Sequence, residues 1–403
     1  MLELKDFEAA ADRLKNVIHN IPLSTSATFS AMTGAEVYLK YENQQKTGSF
    51  KVRGAYNKIM KRYAEGDLHA VVASSAGNHA QGVAFAASSV GVKSTIVMPR
   101  STPIAKVSAT QGYGADVVLA GNIYDEAYAK ACEICEATGA EFIHPFDDED
   151  VMAGQGTIAL EILRDLPFVD MIFVPAGGGG LISGVAACAK QINPRIQIIG
   201  VQAEGAPAIA NSFRAGERKP SDSVHTIADG IAVKTPGDLT YELCEKYVDE
   251  IVTVTDDEIS TAILTLIEQQ KLIAEGAGAV SVAAVLFNKI PVEGRNVVCL
   301  VSGGNIDVSF IHKIVEKGLI TRCRQLKFSV LMPDAPGALE HFSHIVAQQN
   351  ANIILFQHDR VQTDLEIGEA IIHVVCEVGG VDHAKRLIDT LGREGYRVFT
   401  SQI

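Results

Sequence analysis

A chain of 403 residues, 47% hydrophobic and 21% charged, exceeds what one ordinary core holds, so two or three soluble domains are expected. The net charge of -13 opposes nucleic acid or an anionic membrane as partner, and the interrupted basic cluster Arg214-Ala215-Gly216-Glu217-Arg218-Lys219 reads as a solvated loop. No apolar run reaches the ~18–20 residues of a membrane span, the first residues lack a signal-peptide pattern, and seven scattered cysteines fit a reduced compartment, so a cytoplasmic location is expected.

The first informative stretch is Ser49-Phe50-Lys51-Val52-Arg53-Gly54, which places a lysine beside an aromatic ring at the start of a helical pattern. A lysine among small and aromatic neighbours can lose its proton and form an imine with an aldehyde cofactor; the structural alternative is a solvated lysine at a helix start. From 70 to 320, short Val/Ile-rich runs at 70–73, 94–98, 116–119, 141–144, 171–174, 196–201, 251–254 and 296–301 alternate with helical stretches. Continuous apolar strands separated by helices predict a parallel sheet covered on both faces. After the first run comes Ser75-Ala76-Gly77-Asn78-His79, a strand-to-helix turn whose backbone N–H groups suit a carboxylate or phosphate.

Cys132-Glu133-Ile134-Cys135 lies inside the helical pattern 125–137 with no strand leading into it, so its cysteines read as buried helical residues rather than a redox or zinc pair. Asp147-Asp148-Glu149-Asp150 reads as a helix cap and no metal site is expected. Gly177-Gly178-Gly179-Gly180-Leu181 follows the strand at 171–174, and such a turn lets backbone close around a phosphate. A dinucleotide reading fails there, because G-x-G-x-x-G starting at Gly177 or Gly178 would need glycine where Ile182 or Ser183 stands.

With lysine, anion turn, glycine turn and Ser302-Gly303-Gly304-Asn305 in this order, residues 5–320 resemble the fold-type II pyridoxal-phosphate enzymes, and more closely the threonine ammonia-lyases. The resemblance implies a tryptophan synthase β-like α/β fold with a large lobe, 1–69 and 146–320, and a small mobile lobe, 70–145. It implies pyridoxal 5'-phosphate held through an imine on Lys51, with Phe50 at the ring edge, Asn78 on the ring hydroxyl and Ser302 facing the ring nitrogen. Gly177, Gly178, Gly179, Gly180 and Leu181 would hold the phosphate, and Gly230 and Glu275 would lie beside the cofactor. Ser75, Ala76, Gly77, Asn78 and His79 would bind the substrate carboxylate. The metal position that serine racemase-like relatives build after Glu204 meets Ala210 here.

The implied reaction is β-elimination of L-threonine to 2-oxobutanoate and ammonia, with L-serine giving pyruvate. Lys51 takes the Cα proton, and a neutral Ser302 disfavours a long-lived carbanion. A serine dehydratase or racemase is the alternative, although Ala76 stands where racemases place their second base. An amino-acid-sensing protein on an inactive lyase scaffold is the reading of another class.

The rhythm changes at Thr321-Arg322-Cys323-Arg324. Strand, helix, strand, strand, helix, strand over 325–331, 336–349, 352–360, 368–378, 381–394 and 397–401 predict a ferredoxin-like βαββαβ unit over 321–403. With Asp334-Ala335-Pro336-Gly337-Ala338-Leu339 at its first turn, it resembles an ACT domain. That implies a small effector at Asp334, Gly337, Ala338 and Leu339, with a bare dimerisation module as the alternative. A homodimer or homotetramer is expected. The effector, and whether isoleucine synthesis or threonine breakdown is served, stay open.

Overall fold

The helix that carries Lys51 runs Lys51–Glu65 and ends on Gly66, whose φ of 93° turns the chain out of the helix. Around it, the computed structural model, which describes residues 2–66, 68–360 and 366–400, builds two sheets within the compact unit Met1–Ile306. A six-stranded sheet has the order Ser24–Thr25, Glu36–Tyr41, Asn296–Val301, Met171–Pro175, Gln197–Ala203, Glu250–Val254. All neighbours are parallel except the first pair. Every residue of Met171–Pro175 is buried, as a strand flanked by helices on both sides of its sheet requires.

A four-stranded, all-parallel sheet has the order Asp116–Leu119, Lys93–Met98, Ala70–Ser74, Glu141–Phe142. Its core joins Val71, Ala73, Ile96 and Met98 to Val83 and Ala87 of helix Asn78–Ser89, and to Ala55 and Ile59 of the lysine helix. The lysine helix therefore serves both lobes. One face enters the small lobe's core, while Gly54 meets Gly154 of helix Glu149–Asp165 so closely that a Cβ on Gly154 would lie 2.6 Å from Arg53 O. A lobe boundary drawn at 69/70 passes through that shared core.

The lysine helix is also anchored by charge. Arg53 is completely buried and donates to both carboxylate oxygens of Glu42, both of Glu161, and Thr157 Oγ1, at 2.7–3.0 Å. Lys40, equally buried on strand Glu36–Tyr41, donates to Glu161 Oε2 at 2.6 Å and to Ile21 O. The two cations and two carboxylates cancel, which is how buried charge is tolerated.

The second compact unit, Asp307–Ile403, opens with helix Val308–Thr321, so the division falls at 306/307 rather than at 320/321. Its antiparallel sheet has the order Asn352–Asp359, Glu369–Glu377, Gln325–Pro333, Arg397–Phe399, the ferredoxin-like arrangement. Leu326, Phe328, Val330 and Met332 alternate inward to meet Phe342, Ile345, Leu387 and Leu391 of helices Ala338–Gln348 and Val381–Arg393. The last strand was expected to reach Ser401, which lies outside the described residues. Among the described residues, no helix is long and apolar enough to cross a membrane, and no His/Cys/Asp/Glu group is arranged to hold a metal.

Candidate active site

Lys51 is the first residue of its helix, and the loop before it is pinned to residues 302–304. Phe50 N–H donates to Ser302 O at 3.0 Å, Gly304 N–H donates to Gly48 O at 2.9 Å, and Ser49 bridges Gly303. The Lys51 amine donates to Pro145 O at 2.7 Å and lies 5.3 Å from the Phe50 ring centre. Burial lowers its pKa to about 8, against the opposing pull of Glu275.

Glu275 immediately precedes helix Gly276–Leu286, with its N–H on Gly303 O at 3.0 Å. Its Oε1 accepts from Asn78 Nδ2 at 2.6 Å, and Asn78 Oδ1 accepts from Asn305 Nδ2 at 2.5 Å. Asn305 also donates to Thr47 O. This chain of amide, carboxyl and amide ties the small-lobe helix Asn78–Ser89 to the large lobe. Burial raises the Glu275 pKa to about 7; the Asn78 hydrogen bond and Lys106 pull it down, and Asp229 pushes it up. A Cβ on Gly303 would lie 2.2 Å from Glu275 Oε1, so a larger residue there would displace that carboxyl from its place. Ser302 is buried and donates to Ala277 O at 3.3 Å.

The glycine turn lies against the same region. Gly179 has φ 101° and precedes helix Gly180–Ile192, with buried Leu181 in the first turn. Cβ atoms on Gly177, Gly178 and Gly180 would fall 2.8 Å from Ile231 Cα, 2.4 Å from the Phe146 ring and 2.8 Å from Phe146 Cα. Only bare backbone fits there, and the first N–H groups of a helix have no partner within it. Gly230, next to Ile231, comes within 3.5 Å of Glu275 Oε1 at its own Cβ position. A turn without side chains at a helix start, beside a buried lysine of lowered pKa, fits pyridoxal phosphate: the N–H groups suit the phosphate and the amine suits the aldehyde.

In the turn Ser75-Ala76-Gly77, Ser75 Oγ accepts the Gly77 N–H at 3.2 Å and Ser75 N–H is spent on Val97 O. Asn78 opens the following helix and His79 is buried within it. His79 Nε2 donates to Ile143 O at 2.8 Å, and its Nδ1 has no partner among the described residues. Burial, helped by the Lys51 charge, drops its pKa to about 3, so the ring is neutral.

Residues 143–148 connect these parts, and sequence reasoning overlooked most of them. Ile143 O receives His79, Pro145 O receives Lys51, and Phe146 backs the glycine turn. Asp147 accepts the Asp238 and Thr240 N–H groups at 3.1 and 3.0 Å, while Thr240 Oγ1 donates to Gly178 O at 2.7 Å. Asp148 caps helix Glu149–Asp165 by accepting the Val151 N–H, in keeping with the capping role read from the acidic run. A proline carbonyl leaves no trace in residue type; the signal within reach was the aromatic alternation Phe142, His144, Phe146.

Cys132 and Cys135 are half-buried free thiols within helix Tyr124–Thr138. In the second unit, Asp334 pairs with Arg360 at 3.2 Å, and Gly337, φ 88°, precedes helix Ala338–Gln348. Leu339 is exposed and Ala338 half-buried.

Residues 14–303 match the family described as pyridoxal-phosphate dependent enzyme. An L-threonine ammonia-lyase of Thermotoga maritima is 51% identical over 398 residues, 99% of each chain. The processed form of threonine deaminase isoform 2 from Solanum lycopersicum aligns with TM-score 0.73 and 40% identity, over 78% of this chain and 94% of that one. Maize serine racemase aligns with TM-score 0.74 and 36% identity, over 79% and 98%. The fold thus accommodates elimination and racemisation alike, whereas the match to the lyase extends through the second unit as well. On that full-length likeness, this chain belongs to the threonine ammonia-lyase family of pyridoxal-phosphate dependent enzymes.

Proposed function

We propose that the protein deaminates L-threonine to 2-oxobutanoate and ammonia, the water lost from the β-carbon being regained on hydrolysis, accepts L-serine to give pyruvate, and takes a small effector on its C-terminal unit. The observation that carries the reading is the Lys51 amine, held by Pro145 O with its pKa near 8. Roughly a quarter of such an amine is neutral at pH 7.5, against about one in a thousand for an ordinary lysine. Bound pyridoxal phosphate supplies an electron sink conjugated to the substrate α-carbon. Lys51 Nζ then takes the Cα proton, and departure of the β-hydroxyl leaves an enamine that hydrolyses to the oxo acid and ammonia.

The substrate carboxylate is assigned to the turn at 75–79. Two of its N–H groups, those of Ser75 and Gly77, already have partners, which leaves Ala76, Asn78 and His79 at the start of the helix. Ala76 offers no proton for a second base, and Ser75 Oγ is engaged within the turn, so elimination is favoured over racemisation. Ser302 is neutral and cannot hold a protonated ring nitrogen as a carboxylate would, which favours prompt elimination.

The test is 2-oxo acid release from L-threonine and from L-serine by purified, cofactor-loaded protein, with Lys51→Ala as control. Oxo acid from the wild type, together with neither imine absorbance nor turnover in the variant, is expected. Bound cofactor without oxo acid from either substrate would overturn the lyase reading. Loss of an effector response on removal of the second unit, residues 307–403, with turnover retained, would support regulation through that unit.

A further inference from the structure

At the centre of the connecting segment, His144 Nδ1 accepts two backbone N–H groups at once, Asp147 at 2.7 Å and Phe146 at 3.3 Å. Its ring meets Phe146 edge-on at 4.7 Å and Phe142 at 6.2 Å. We propose that His144 is a positioning residue for the reaction: by accepting these two N–H groups it folds the turn that seats Pro145 O on the Lys51 amine and Phe146 behind the glycine turn. The inference rests on the proposed function, since it concerns the same lysine and cofactor.

Two donors converging on Nδ1 require that nitrogen to be bare, so the imidazole is neutral and carries its proton on Nε2. A charged ring would direct a third N–H at the other two and open the turn. The surroundings keep it neutral: burial and Lys51 lower its pKa, while Asp147 and Asp148 act in the opposite direction. His79, on the facing helix, is itself neutral. Opening the turn would have two consequences. Phe146 would withdraw from Gly178 and Gly180, loosening the phosphate turn, and the Lys51 amine would lose the acceptor that orients it toward the Cα proton.

The test separates the acceptor from the ring. His144→Asn places an amide oxygen close to the position of Nδ1 but removes the ring, whereas His144→Phe keeps the ring and removes the acceptor. Cofactor dissociation constants come from absorbance titration, and kcat and KM from L-threonine turnover. His144→Phe is expected to weaken cofactor binding and lower kcat by about tenfold or more each, with KM changed about threefold at most. His144→Asn is expected to recover most of both losses. A phenylalanine variant equal to wild type, or an asparagine variant as impaired as the phenylalanine one, would overturn the inference. Should His144→Phe fail to fold by circular dichroism, His144→Gln, whose amide oxygen lies one bond too far, replaces it with the same expectation. Failure of the proposed function is distinguishable, because it shows in the wild type as absent imine absorbance or absent oxo acid.

Discussion

Arg53 offers the sharpest test of how the lysine helix is held. Its guanidinium has five N–H donors, and all five are used, two on Glu42, two on Glu161 and one on Thr157. Replacing it with methionine preserves much of the volume but leaves one excess negative charge in the interior. Lys40 still serves Glu161, but Glu42, with no exposed side chain, keeps among the described residues only a long side-chain hydrogen bond from Gln45 at 3.4 Å. Removing one partner of a buried pair costs about 3–5 kcal/mol, a large share of the ~5–15 kcal/mol that stabilises a typical domain.

Most of that cost falls on the uncompensated Glu42 rather than on lost packing. Arg53→Met with Glu42→Gln restores neutrality, and the double variant is expected to be about 1–3 kcal/mol more stable than Arg53→Met alone. The chain has no tryptophan, so urea unfolding is followed by circular dichroism. Arg53→Met costing less than about 1 kcal/mol, or costs of the two substitutions that simply add, would refute the reasoning.

Gly178→Ala drives a methyl into the Phe146 ring, which lies 2.4 Å from the Cβ position, and is expected to weaken cofactor binding about tenfold or more; adding Phe146→Ala should return part of the affinity, and an unaffected titration would count against a phosphate site at this turn. In cofactor-free protein, His79 is neutral down to about pH 3 while its unfolded counterpart charges below about 6.5, so its stabilising contribution is full above 6.5 and is lost as pH falls below it, by up to about 1.4 kcal/mol per unit. Glu275, raised to about 7, has the opposite sign, since folded protein retains a proton that the unfolded chain releases above about 4.5. The two offset each other between about 4.5 and 6.5, and Glu275→Gln should uncover the His79 slope; equal slopes in wild type and variant over that range would contradict these protonation states. Gly337→Asp, at φ 88° with open space around its Cβ position, should blunt an effector response without removing catalysis, and unchanged regulation would argue against a ligand at that turn.

The parts legible in the sequence were those whose residue type states their physics. A buried parallel strand needs an uninterrupted apolar run, so 70–73, 171–174 and 296–301 were readable, and glycine repeats announced a turn with no room for side chains. Strand Glu36–Tyr41 was missed because it spends a lysine and two tyrosines where an apolar run was sought, and the burial of Lys40 depends on Glu161, far away in the chain. The contributions of Ile143 and Pro145 were missed for a related reason: both act through carbonyl oxygens, which every residue possesses. Asn305 stood within a motif already recognised, yet its bond to Asn78 spans the two lobes and has no local signature. Helix ends in the second unit moved by one or two residues, as helix ends do when capping rather than propensity decides them.

The two sides of the lysine helix handle charge in opposite ways, and the difference bears on function. Toward the large lobe, Arg53, Lys40, Glu42 and Glu161 are mutually neutralising and hydrogen-bonded, which fixes their charges. Toward the site, titratable groups are pushed toward their uncharged forms: Lys51 down to about 8, Glu275 up to about 7, and His79 and His144 neutral. Fixed cations there would hold a phosphate and a carboxylate tightly but would also oppose an amine that must alternate between charged and neutral. The proposed assignment of both anions to backbone N–H groups at the starts of helices Asn78–Ser89 and Gly180–Ile192 avoids that conflict, since peptide dipoles attract anions without titrating. On the proposed reading, with both anions held by uncharged backbone, burial alone lowers the Lys51 pKa to about 8, where the amine can both accept and return a proton near neutrality.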